Sequence, residues 1–114
     1  MRTVKSVITQ YKPYGIQWGV EVLFPPDKAI QLIAELAQCD VMVAGCDLWR
    51  YHDKSKGLII SLLGAGIDIE NYNELSPIQA AQKVILFLDK QLPEDAELVS
   101  IILIDLEVDN LLST

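Results

Sequence analysis

Three kinds of side chain in this sequence carry usable chemistry: spaced carboxylates, two thiols and one imidazole. Asp68, Glu70 and Glu74 fall within seven residues. Alternation along an extended chain places Asp68 and Glu70 on one face, where hard oxygen donors suit a divalent cation. Their spacing matches no dedicated calcium loop, so charge pairing with a partner is the better use for them. Asp105, Glu107 and Asp109 alternate in the same way. That ladder either guards a strand edge against aggregation or forms a docking stripe for a basic partner. Cys39 and Cys46 form no CxxC pair, and with His52 as the single histidine no four-ligand zinc set can be assembled. They read as free thiols. His52 sits at the rim of a basic hairpin, Arg50 to Lys56, as a solvated loop residue. No nucleophile elbow and no phosphate-binding loop is present. Gly64-Ala65-Gly66 lacks a following helix and a nearby base, and Asp68 and Glu70 would repel a phosphate. No catalytic residue, metal or cofactor is therefore assigned.

The aromatics are better placed for recognition. Trp49 and Tyr51 are two apart, hence on one face of a strand, beside Arg50. They serve either as interface anchors, for which Trp and Tyr are favoured, or as core. Trp18 falls on the apolar side of its own alternating run and is expected in the core.

The elements that must carry these residues follow from periodicity. Ile16, Trp18, Val20 and Val22 alternate with polar positions over 15–24, which predicts one half-buried strand. Pro25-Pro26 ends it, and Ala29, Leu32, Ile33 and Leu36 then repeat at helical spacing over 27–38. A strand is expected over 41–51, a polar turn over 53–57 and the antiparallel partner over 58–63. Beyond the Gly64-Ala65-Gly66 interruption, 67–70 either continues that strand with a bend or makes a further short one. Ser76-Pro77-Ile78-Gln79 is a capping box with proline at the first helical position, and Pro93 stops the helix. A last strand spans 97–105, and 109–114 should fray. A short segment around Val4 to Ile8 precedes all of this. The fold class is α+β: two helices packed on one largely antiparallel sheet, in β-α-β-β-α-β order, with a ferredoxin-like split βαβ as one way to connect it. The whole chain, 1–114, is a single domain.

Composition narrows what such a domain does. The chain has 114 residues, 51% of them hydrophobic, with a formal net charge of −7. Residues 1–56 hold seven bases against six acids, and residues 57–114 hold two bases, Lys83 and Lys90, against ten acids. An acidic half repels nucleic acid and anionic membranes and attracts basic proteins. No apolar run reaches the roughly 18 residues of a membrane span, and the N-terminus has no apolar segment of the secretory kind. A cytoplasmic, monomeric protein is expected.

Two local patterns point further. Gly15-Ile16-Gln17-Trp18-Gly19 precedes the first predicted helix, and Ala44-Gly45-Cys46-Asp47-Leu48-Trp49 closes the following strand. With the capped helix and last strand, the stretch from 15 to 104 resembles the small immunity proteins of bacterial polymorphic-toxin and contact-dependent growth inhibition systems, in particular the family called immunity protein 40. The resemblance implies a cytoplasmic antitoxin that binds one cognate toxin domain and carries no catalytic residues. An acidic antidote suits a basic, nuclease-type toxin. On this reading Asp68, Glu70 and Glu74 supply charge complementarity, and Trp49 and Tyr51 supply anchors. The alternative is a small regulatory or ligand-binding ferredoxin-like module acting as a dimer through its sheet.

Overall fold

A computed structural model describes residues 2–51 and 60–113. The expected loop over 53–57, His52 and the first two residues of the strand predicted over 58–63 lie outside the described residues. The fold is α+β, with four α-helices among the described residues and strands that there all pair antiparallel.

The segment ahead of the first predicted strand is a helix, α1 (Val4–Tyr11). Thr3 caps it: its hydroxyl accepts from the Ser6 amide at 3.1 Å, and Ser6 Oγ accepts from the Thr3 amide at 3.1 Å. The strand predicted over 15–24 is instead a hairpin, β1 (Ile16–Trp18) and β2 (Glu21–Leu23). Gly19 adopts φ +63°, and with Val20 it forms a two-residue turn. The turn reverses the chain, so Val22 points away from the side shared by Ile16 and Trp18, and Val20 is 86% exposed.

Helix α2 (Pro26–Gln38) buries Ala29, Leu32, Ile33 and Leu36 completely, the stripe predicted from its periodicity. Pro25 stands at its N-cap, and Asp27 lies in the first turn without a capping bond. At its end Asp40 adopts φ +65°, with the Val41 amide donating to the Leu36 carbonyl and the Asp40 amide to that of Ala37, both at 3.0 Å. This is a glycine-type helix stop made by aspartate.

Strands β3 (Val43–Tyr51), β4 (Ile60–Asp68) and β5 (Leu98–Leu103) form one sheet in the order β4-β3-β5. Strand β4 runs through Gly64-Ala65-Gly66 with two register shifts against β3, so the glycines bend one strand rather than end it. Phe24 and Val99 exchange both backbone hydrogen bonds at 2.8 Å and hook the hairpin onto the outer side of β5. The strand before α2 thus lies outside β5 rather than inside the sheet. This is not the ferredoxin-like connection considered from sequence.

Helix α3 (Pro77–Lys90) starts with the predicted capping box, Ser76 Oγ accepting from the Gln79 amide at 3.1 Å and Gln79 Oε1 from the Ser76 amide at 2.9 Å. α2 and α3 pack on each other and on one face of the sheet. Leu32, Ile33, Leu36, Val84 and Leu88 meet Val43, Cys46, Leu48, Val99 and Ile101 there, and α1 closes the same core with Val7, Ile8 and Tyr11. The C-terminal residues do not fray: Leu106–Ser113 is a fourth helix, α4, with Val108 and Leu112 in the core. Asp105 therefore heads no strand ladder with Glu107 and Asp109. Its Oδ1 accepts from the Glu107 and Val108 amides at 2.9 and 3.3 Å, capping α4, and the other two acids lie in the first helical turn.

Candidate functional site: the open face of the sheet

Both main helices cover one side of the sheet, so the opposite side is the surface to examine. Alternation fixes what it displays. Val99, Ile101, Cys46 and Leu48 face the helices. Their neighbours Leu98, Ser100, Ile102, Asp47, Trp49 and Tyr51 face the other way, with β2 adding Glu21 and Leu23 and β1 adding Ile16 and Trp18. A second, smaller apolar cluster forms there. Leu23, Ile60 and Leu98 are buried at its base, and Ile16, Trp18, Trp49 and Tyr51 pack on it half-buried.

Trp49 is held in a fixed pose. Its indole N–H donates to Ser100 Oγ at 2.9 Å, and Ser100 is 2% exposed. A buried hydroxyl with a partner locks the ring against β5. Leu62 lies opposite Trp49 in the β3–β4 register and is 57% exposed. Tyr51 sits at the far end, its amide donating to Glu97 Oε1 at 3.3 Å.

Carboxylates flank this aromatic centre at both ends. Beyond Tyr51, Glu94, Asp95 and Glu97 line a depression of about 530 Å³ with Arg50, whose guanidinium lies 3.8 Å from Asp95. Beyond Trp49, Glu21, Asp47 and Asp109 line a second depression of about 350 Å³, together with Val20, Ile102, Asn110 and Ser113. Among the described residues no base lines that second depression. Partial burial raises the Glu21 carboxyl above its usual value, and the Asp47 and Asp109 charges raise it further. Asp47 is raised by burial and then by Asp68. Four acids from β2, β3, β4 and α4 therefore oppose one another across this end of the sheet.

Of the residues singled out from sequence, the fold brings Trp49, Tyr51 and Asp68 to this face, Asp68 lying opposite Gly45 at the exposed end of β4. Glu70 and Glu74 belong instead to the exposed connection leading to α3. Glu70 shares a shallow depression of about 310 Å³ with Asp68 and Lys83, and Glu74 lies outside it. Glu21 and Asp47 were missed as site residues, and Asp109 was considered only as part of a strand ladder with Asp105 and Glu107, not with these two. Glu21, Asp47 and Asp109 are spread over 89 positions of the chain, and the lateral order β2, β5, β3 with α4 packed on β2 and β5 assembles them. Trp18 joins the open face rather than the main core.

The thiols play no part here. Cys46 is fully buried, and burial pushes its pKa up to about 11. Cys39 is half-buried and lines a separate cavity of about 370 Å³ with Arg2 and Glu35, which pair across its mouth. Among the described residues no three His, Cys, Asp or Glu side chains are grouped to hold a metal ion, and no helix is long and apolar enough to cross a membrane.

Comparison with protein-family models, with curated proteins and with solved structures returns no match to this chain.

Proposed function

We propose that this chain is an immunity protein that binds and neutralises a cognate bacterial toxin domain of basic, nuclease type in the cytoplasm. It acts by occluding the toxin's active site or substrate path, not by catalysis. The observation that carries this reading is the open sheet face, where half-buried aromatics lie between groups of carboxylates. Anchors of this kind suit a protein interface, and carboxylates compete well for a surface evolved to hold phosphates. The motifs at 15–19 and 44–49 suggested the same reading from sequence, although no family model matches the chain. The strand order described above is not ferredoxin-like, so the alternative of a ferredoxin-like dimer is the less favoured reading.

The test is co-expression with the toxin domain encoded beside this chain. Growth should be restored, and the two proteins should elute together as a 1:1 complex. Unrelieved toxicity with no complex would overturn the proposal.

A further inference from the structure

We infer that the open face of the sheet is the docking surface, and that its occupant is a basic segment of a partner protein carrying cationic side chains on either side of an apolar one. This inference rests on the reading of the chain as an inhibitor of a basic protein, and adds to it the surface and the side chains it receives.

Shape and charge agree on that occupant. Trp18, Trp49 and Leu62 offer an apolar centre that no element among the described residues covers. Asp47 and Tyr51 lie four residues apart on β3, about 13 Å along a strand, so the two acidic depressions bracket this centre at the reach of one short peptide segment. Among the described residues the Glu21–Asp47–Asp109 depression holds no counter-charge. A guanidinium entering it would relieve repulsion that the folded chain otherwise bears, with donors suited to several carboxylates at once. Guanidinium and ammonium groups also stack on indole faces. A second copy of this chain would bring like charge against like charge, and nucleic acid would bring phosphates against carboxylates.

The chain contains two tryptophans, and both lie on this face, so indole emission reports its occupancy. The full chain is titrated with a synthetic twelve-residue peptide of alternating arginine and leucine, with a glutamate–leucine peptide as control, and amide shifts map the contact. The arginine peptide should change the emission and shift amides of β2, β3, β5 and the start of α4. The double variant Glu21→Gln/Asp47→Asn should stay folded and bind at least about tenfold more weakly, a loss of about 1.4 kcal/mol. Glu70→Gln/Glu74→Gln removes the same charge elsewhere and should weaken binding by less than about twofold.

Equal losses from both pairs, shifts confined to the Glu70–Glu74 connection, binding of a DNA oligonucleotide, or sedimentation as a dimer through this face would each overturn the inference. The same variants enter the toxin co-expression. Protection that survives Glu21→Gln/Asp47→Asn would sink the docking surface and leave the inhibitor reading standing. Peptide docking as described, without protection against any toxin, would sink the inhibitor reading alone.

Discussion

Glu21 and Asp47 hold their protons more tightly in the folded chain than an exposed carboxylate does, and this fixes the sign of a pH effect. The groups facing them are each other, Asp109 from α4 and Asp68 from β4, all acidic. Protonation therefore favours the folded state. Their contribution is greatest below the ordinary carboxylate range near about pH 4, and is lost as pH rises through their raised folded values. Glu21→Gln/Asp47→Asn should flatten that fall and raise the thermal midpoint at pH 7 by about 2–4 °C, measured by thermal denaturation at several pH values. A lower midpoint would mean that the acids stabilise the fold, the opposite of the picture here. The two thiols differ just as sharply. Cys46 is fully buried and raised to about 11, whereas Cys39 is half-buried at a cavity mouth. Reactivity follows the accessible thiolate, so iodoacetamide on the native protein at pH 8 should alkylate Cys39 and leave Cys46 intact. Mass mapping checks this, and both should react after unfolding.

Elements were legible where a local signal and the tertiary outcome agreed. The box at Ser76 and Gln79 and the stripe of α2 each satisfy their own backbone or bury their own face, and both form as read. The hairpin of β1 and β2 escaped because alternation continues straight through its turn: Val20 and Val22 keep the period although the chain reverses between them. Gly19 was the available signal, since a glycine at positive φ suits the first position of a two-residue turn. Helix α4 escaped because its acids alternate as a strand's would, and the capping role of Asp105 went unread. The stop of α2 offers a prediction at this scale. Asp40 tolerates φ +65° at a cost that glycine does not bear. Asp40→Gly should raise stability by about 0.5–1 kcal/mol in urea denaturation, and a loss would show that the Asp40 side chain contributes to the native state.

For the whole molecule, charge asymmetry between the halves was visible in the sequence, yet the surface that gathers it was not. The acidic depression draws Glu21 and Asp47 from the near-neutral first half and Asp109 from the last helix. Counting charge along the chain favoured Asp68, Glu70 and Glu74 because they are neighbours in sequence. Folding separates Glu70 and Glu74 from the aromatics and substitutes residues from three distant elements. Trp49 and Tyr51 share a face as strand alternation predicts, whereas the expected pairing of Asp68 with Glu70 on one strand face does not form, because β4 ends at Asp68. The fold class was recoverable from element types, whereas the strand order depends on which edge of β5 the hairpin finds, and no local pattern encodes that.

The clasp between Phe24 and Val99 bears on how that surface meets anything. One residue pair joins the hairpin's ladder to the three-stranded sheet, so the hairpin side of the open face is fastened by packing and pinned at a single rung. Amide exchange by deuterium should run faster at Ile16 and Leu23, the next hydrogen-bonded pair of the hairpin ladder, than at Cys46 and Leu48, which are enclosed between two neighbouring strands. Faster exchange there would mark the hairpin as the side of the open face that yields, with β3 keeping its place. Uniform protection across β1, β2 and β3 would mark the whole open face as rigid.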